Sequence, residues 1–268
     1  MNIELITSRT NDYIIKCNGF HDRKNRRQSG VFIFEGIKLF SEAISRGVEF
    51  ESVIFTSDNT KLIVDLLQNY SKPLRLIEVN DSVYKKLSSE KSPSGIFCVA
   101  KAIDKIHKTA TIYRNEFSGA KIVLSSLQDP GNLGTVIRCA SAFGFGEIII
   151  DAQCVDIYNE KTIRASMGTL FSARITRVEN LVEAIAELRK SGYTVYGAAL
   201  TEDSTPLNKL SLDNTNCFVI GNEGHGLSSE VLNACNGSVI IPMPGGAESL
   251  NASIAASLLM WECIKNHC

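Results

Sequence analysis

The chain has 268 residues, 44% of them apolar, and a formal net charge of −1. That length holds one large domain or two ordinary ones, with enough apolar material for sizeable cores. The charge balance excludes a globally basic nucleic-acid coating protein and leaves room only for a local patch.

In chain order, the opening MNIELITSRTNDY lacks an apolar h-region, so no signal peptide is expected. Residues 9–27 carry Arg9, Lys16, Arg23, Lys24, Arg26 and Arg27 against Asp12 and Asp22, six positive against two negative, a local +4. Such a run reads either as a solvated face or as a phosphate-contacting patch. VFIFEGIKLFSEAISRG follows, with Glu35 and Gly36 opening a helix that stops at Gly47. An alternation then predicts a strand over 52–55, a helix over 61–69 and a strand over 74–79. A short helix over 81–87, capped by Asn80, leads through a polar loop to a strand over 96–100. Strands alternating with helices predict a small α/β sandwich over 1–102. Residues 103–119 have mixed charge and no clear period, and are read as a linker.

A second α/β unit is expected over 120–268. It begins with a strand over 122–124, a QDPGN turn, a helix over 134–142 and a strand over 147–150. An amphipathic helix over 180–190 ends at Gly192, and a strand over 193–200 follows, its end facing the same side as the two closing strands. Those two are β-branched runs, 218–220 and 239–241, too short for helices and read as buried strands of parallel type. Each enters a glycine-rich polar loop, GNEGHGLS and PMPGGAESLN. Ligands in open α/β sheets collect outside the carboxyl ends of strands, where these loops sit. The segment 253–264 is apolar nearly all round, as in a buried helix or a subunit interface, and is too short to cross a membrane.

Several chemistries are excluded by spacing. Gly134 is followed by Thr135 and Val136, not by the lysine a Walker loop needs. Glycines at 221, 224 and 226 do not make the dinucleotide fingerprint. No G-x-S-x-G elbow accompanies Asp203 and Ser204. His225 reads as an exposed loop histidine. The eight cysteines, Cys17, Cys98, Cys139, Cys154, Cys217, Cys235, Cys263 and Cys268, form no CxxC pair, so buried free thiols in a reducing cytoplasm are expected and a metal site is not. Arg138 follows the QDPGN turn, with only Gly134 and Thr135 at i−4 and i−3, so it reads either as an ordinary salt-bridging arginine or as one whose guanidinium a nucleic-acid backbone can reach.

LQDPGNLGTVIRCASAFGF, FVIGNEGHGL and IPMPGGAESLNASIAA resemble, in this order, the three motifs of the SpoU/TrmH-type RNA ribose 2′-O-methyltransferases of the SPOUT class. The likeness runs from about Lys121 to the end, and a weaker one covers the first third. It implies a trefoil-knotted methyltransferase domain preceded by an RNA-binding α/β sandwich resembling ribosomal proteins. It implies a homodimer with active sites at or near the interface. It also implies S-adenosylmethionine, held by Gly221, Ile241, Met243, Leu250 and Leu200 in loops after the last strands. Asn132, Arg138, Glu223, Ser249 and Asn251 fall on the family's catalytic positions; Glu248 falls where relatives vary and is assigned nothing. A guanidinium stays protonated, so Arg138 is expected to grip a phosphate and the developing oxyanion, with proton removal left to Glu223 or water. The substrate implied is structured RNA, ribosomal rather than transfer RNA, with Arg23, Lys24, Arg26 and Arg27 contacting phosphates. The alternatives are a transfer-RNA enzyme and a non-catalytic assembly factor that keeps the fold.

Overall fold

A computed structural model describes residues 2–103, 105–106, 119–246 and 249–265. The expected linker over 103–119 lies almost wholly outside them, as do Glu248 and Cys268. By contact the chain divides into two compact units, Met1–Ile103 with Tyr158–Phe171, and Asp104–Ile157 with Ser172–Cys268.

The first unit contains β1 (Ile3–Ile6), α1 (Asp12–Gly19), α2 (Arg23–Ser29), β2 (Val31–Glu35), α3 (Ile37–Ser45), β3 (Phe50–Thr56), α4 (Thr60–Leu66), β4 (Arg75–Val79), α5 (Asp81–Leu87) and β5 (Ile96–Lys101). Its sheet runs β1-β4-β3-β5-β2, with β5 antiparallel to both neighbours and the rest parallel. Ile33, Ile54, Ile77, Phe97 and Val99 from the strands close on Ile14, Cys17, Val83 and Leu87 from α1 and α5. The expected helix over 81–87 forms as α5, and the Asn80 side chain accepts from Val83 N–H at 2.9 Å.

The charged run is two short helices. Asn11 and Asp22 cap them, and Gly30, at φ 64°, ends the second in the left-handed conformation. The helical turn throws one member of the run inward. Arg26 is 5% exposed, and its Nη1 donates to the carbonyls of Phe20 and His21, both at 2.8 Å. Arg26 therefore ties the α1–α2 corner together and leaves the expected phosphate patch; Arg23, Lys24 and Arg27 remain exposed.

The second unit contains β6 (Lys105–Ile106), β7 (Lys121–Leu124), α6 (Pro130–Ala142) and β8 (Glu147–Asp151). After α7 (Glu160–Ser166), which packs with the first unit, come β9 (Ile175–Val178), α8 (Leu181–Lys190), β10 (Thr194–Ala198) and β11 (Thr205–Pro206). β12 (Asn216–Ile220), α9 (Ser229–Ala234), β13 (Gly237–Ile240) and α10 (Ala252–Ile264) complete it. The sheet runs β11-β13-β10-β12-β7-β8-β9-β6 and its pairings are parallel. Parallel strands must be covered on both faces, which is why β7, β8 and β12 are buried at every residue. Ala184, Ile185 and Leu188 of α8 cover one face, while α6 and α10 pack on each other.

Two expectations change. The helix expected from Gly134 begins at Pro130, because Asp129 accepts from Asn132 N–H at 2.8 Å and the proline supplies a helical φ at the first position. The QDPGN turn is thus largely the helix start itself. Tyr158–Phe171, expected in the second domain, joins the first unit: Tyr158 stacks on Phe32 at 4.7 Å between centroids, and Phe171 lies 5.1 Å from Phe34. His21 Nδ1 and Glu160 Oε1 meet there at 2.7 Å.

The seven described cysteines are free. Burial pushes the Cys17 and Cys154 thiols up to about 12 and those of Cys235 and Cys263 up to about 11, so none of these four is a thiolate at neutral pH. Among the described residues no helix is long and apolar enough to cross a membrane, and no cluster of three or more His, Cys, Asp or Glu is placed to hold a metal ion.

Candidate functional site

The three loops singled out in the sequence meet at the carboxyl ends of the second unit's strands. Glu223, in the loop after β12, is the meeting point. Its Oε1 accepts from Asp129 N–H at 3.0 Å and from the Asn132 amide at 3.0 Å, and its Oε2 accepts from Gln128 N–H at 3.1 Å. These donors sit at the start of α6, where the helix dipole also favours an anion. Desolvation pushes the Glu223 carboxyl up, but the bonds from Asn132, Asp129 and Gln128 outweigh it and hold it below the usual carboxylate range. A carboxylate so occupied is a poor proton acceptor near neutral pH, so of the two expected routes for proton removal Glu223 is the weaker.

The third loop enters through Asn251, which donates to Asn132 Oδ1 at 2.9 Å. Asn251 also caps α10, its Oδ1 accepting from Ser253 N–H at 2.9 Å. The result is a directed chain, α10 backbone to Asn251 to Asn132 to Glu223. It brings together three of the five expected catalytic residues. Arg138 stands apart. It is six positions along α6 from Asn132, about a third of a turn off that face at 3.6 residues per turn. It is exposed, and among the described residues no polar group bonds it. Ser249 is also exposed and, among the described residues, makes no hydrogen bond.

Leu200, Gly221 and Ile241 follow the ends of β10, β12 and β13, which are adjacent because β10 pairs with both others. Met243 lies two residues beyond Ile241, and Leu250 directly precedes the cap of α10. Gly221 is buried, and a Cβ there would meet the Gly226 carbonyl carbon at 2.4 Å and Leu227 N at 2.7 Å. The closed turn Asn222–Gly226 leans directly on it. Its glycine is therefore required by loop packing, whatever binds there. Ile241, Met243 and Leu250 are half-buried, while Leu200 is 75% exposed and forms no wall.

Residues not singled out in the sequence hold this arrangement. Asn222 donates to Ser126 O at 2.9 Å and accepts from Gly224 and His225 N–H, folding the loop that presents Glu223. Asp151 accepts from Ser126 N–H at 2.8 Å and from Cys154 N–H at 2.8 Å. Ser126 adopts φ 55°, a left-handed conformation uncommon for serine. The Asn-x-Gly of GNEG and the Asp-Pro of QDPGN are the available signals, one for an Asx turn and one for a helix start. His225 is exposed in that loop, as expected.

Comparison with known proteins gives the same account. Residues 119–261 match the SpoU rRNA Methylase family, and residues 11–98 match the MRM3-like substrate binding domain. The chain is 29% identical, over 96% of its length and 97% of the relative's, to the 23S rRNA (guanosine(2553)-2′-O)-methyltransferase RlmP of Bacillus subtilis. An AdoMet-bound rRNA methyltransferase from Sinorhizobium meliloti superposes with a TM-score of 0.86 at 25% identity, covering 99% of both chains. A solved RNA 2′-O ribose methyltransferase superposes with a TM-score of 0.79 at 29% identity, covering 98% of this chain and 99% of that one.

Proposed function

The chain belongs to the SpoU rRNA methylase family, and from that premise we propose that it methylates a ribose 2′-hydroxyl of ribosomal RNA. The observation that carries this reading is the Glu223–Asn132–Asn251 chain, which joins all three family motifs in one bonded unit. The relative from Bacillus subtilis is named for methylation of 23S rRNA, which supports ribosomal over transfer RNA.

S-adenosylmethionine, when bound, supplies an electrophilic methyl group. The residues fit it: half-buried Ile241, Met243 and Leu250 offer apolar walls, and Gly221 offers backbone without a side chain. That the Sinorhizobium meliloti neighbour was solved with AdoMet supports the same choice. A ribose hydroxyl is a weak nucleophile, so catalysis rests on holding it in line and stabilising its developing charge. Arg138 keeps its proton and its planar fork, and grips the adjoining phosphate together with the oxyanion. Asn132 and Asn251 hold the loops that orient the ribose, and exposed Ser249, two residues before Asn251, is assigned to the ribose with them. Glu223 anchors those loops as a carboxylate, and the departing proton goes to water.

The exposed apolar residues Ile254, Leu258 and Trp261 lie three and four apart, on one face of α10. We assign that face to a homodimer, and we assign the chain a knotted topology and a cytoplasmic location, both supported by its membership of the family. The test is methyl transfer from labelled S-adenosylmethionine to purified ribosomal and transfer RNA, followed by mapping of 2′-O-methyl positions. Label in ribosomal RNA is expected. Label confined to transfer RNA overturns the substrate assignment, and tight RNA binding with no transfer to any cellular RNA overturns the enzyme.

A further inference from the structure

A cleft of about 720 Å³ opens at the carboxyl ends of β7, β8 and β9, within the second unit. Ser126, Gln128, Asp151, Gln153, Glu179 and Asn222 are among its walls, and none of the five candidate cofactor residues is. It lies at the point where the strand order reverses. β7 is followed by β8 on one side, while β12, its other neighbour, is followed by β13 on the far side. Crevices at such switch points are where open α/β sheets take ligands. The cleft shares a wall with the candidate catalytic network. Gln128 donates its backbone N–H to Glu223 at 3.1 Å and its side-chain amide to Gln153 O at 2.8 Å and Ser126 O at 3.2 Å. Asn222, also in the wall, precedes Glu223 directly.

The lining decides what fits. Asp151, Glu179 and Glu230 are acidic and His225 is the one group there able to become cationic. Asp151 is committed: its two oxygens take the N–H groups of Ser126, Gln153 and Cys154 and the Ser126 hydroxyl. Glu179 and Glu230 are exposed, and among the described residues nothing bonds their carboxylates. An anionic cleft repels phosphate and favours a flat, uncharged group with donors along one edge. Guanine alone among the four bases presents two adjacent N–H groups, N1–H and the N2 amino, as a paired match to one carboxylate. The volume lies within the range that holds ligands of nucleoside size, about 300–1,000 Å³.

We propose that this cleft receives an unpaired guanine of the RNA, turned out of its stack, with one of Glu179 and Glu230 reading its N1–H and N2 edge and the phosphates left outside. The proposal rests on the reading of the protein as an RNA ribose methyltransferase and adds base selection to it. Taking a base out of the stack and reading its pairing edge is a recurrent way to select a nucleotide.

The test titrates the full chain, by backbone amide NMR, with GMP, IMP, AMP, CMP and UMP, and separately with S-adenosylmethionine. GMP is expected to give saturable shifts at Gln153, Glu179 and Gly226. IMP, lacking only the N2 amino group, should bind about tenfold more weakly, as should GMP to the Glu179→Gln, Glu230→Gln double variant. S-adenosylmethionine should shift Gly221 and Leu250 alike in wild type and variant, which shows that the variant is folded. Equal responses to all five nucleotides overturn the edge reading. No response at the cleft, or a response there to S-adenosylmethionine alone, overturns the site. Nucleotide binding and methyl transfer are read separately, so a chain that methylates ribosomal RNA yet gives no GMP response at the cleft keeps the enzyme reading and loses this one.

Discussion

Asn251 donates its side-chain amide to Asn132 Oδ1 at 2.9 Å, although 119 residues separate them in the chain. Both ends of the resulting relay have fixed polarity. Glu223 as a carboxylate only accepts, and the backbone N–H groups at the start of α10 only donate. The orientation of both asparagine amides follows from those ends. The relay joins the amino termini of α6 and α10, so it sets the geometry of all three loops at once.

Replacing Asn132 by aspartate tests the relay. A second carboxylate would face Glu223 across about 3 Å, with no donor between them, and each would push the other's pKa up. Asn132→Asp is therefore expected to lose about 1–3 kcal/mol at pH 8, and to regain part of it in acid as one carboxyl takes a proton. Thermal melts from pH 5 to pH 8 check this. A wild-type melting temperature at pH 8 would show that the bond from Asn132 to Glu223 contributes nothing.

The basic run of the first unit now divides in two. Arg26→Ala removes two charge-assisted bonds from a buried side chain and should cost about 2–4 kcal/mol. Arg23→Ala, Lys24→Ala and Arg27→Ala together should leave the melting temperature near wild type. They should instead lower the log–log salt slope of RNA binding, by about one unit for each phosphate no longer neutralised. Filter binding across a salt series reads the slope; an unchanged slope in the triple variant returns the run to a solvated face.

Much of the fold is legible in the sequence. Asn80, an N-cap residue followed by an apolar spacing of helical period, marks α5 unambiguously. The β-branched runs near 218–220 and 239–241 mark parallel strands, of which β12 is buried throughout as expected while β13 is buried only at Val239 and ends at Ile240. The role of Arg26 is not legible, because a charge run shows composition and hides which turn of the helix faces inward. The start of α6 is obscured because Pro-Gly reads as a turn, whereas Asp-Pro is also a cap and a first helical residue. The grouping of Tyr158–Phe171 with the first unit depends on ring contacts of Phe32 with Tyr158 and of Phe34 with Phe171 across more than a hundred residues of sequence, which no local pattern carries.

That grouping has a pH dependence. The bond to Glu160 raises the His21 pKa above its ordinary 6.5, against an opposing effect of burial and with help from the Leu87 carbonyl. Glu160 is pushed up by burial, but His21 and the Ser89 hydroxyl outweigh this and hold it below its ordinary 4.5. The stability from His21 is complete below pH 6.5 and is lost as pH rises through its raised pKa; that from Glu160 is complete above pH 4.5 and is lost as pH falls through its lowered one. The destabilisation caused by His21→Gln should therefore be greatest between pH 4.5 and 6.5 and shrink towards pH 9. Melting curves of the two proteins decide it, and a pH-independent difference would leave the bond without an ionic part.

The apolar face of α10 predicts assembly. Ile254, Leu258 and Trp261 are 52%, 40% and 47% exposed, and water-facing residues of this size at helical spacing mark an association surface. Ile254→Ser with Trp261→Ser should convert a dimer at micromolar concentration into a folded monomer by sedimentation velocity. A wild-type monomer at that concentration removes the dimer.

Arg138 separates enzyme from scaffold. It is exposed on α6, so its substitution should change folding stability by no more than about 0.5 kcal/mol. Arg138→Lys keeps the charge and loses the planar fork that would hold phosphate and oxyanion together. Removal of one such positioned stabiliser costs on the order of 10² to 10³ in rate, about 3–4 kcal/mol. Single-turnover methyl transfer should fall by that factor, while S-adenosylmethionine affinity by calorimetry and the melting temperature stay at wild type. Because the assigned interaction belongs to the transition state, the loss should appear in the rate at saturating RNA and not in the RNA affinity. A wild-type rate in Arg138→Lys removes Arg138 from catalysis. A loss confined to RNA affinity makes it a phosphate contact and nothing more.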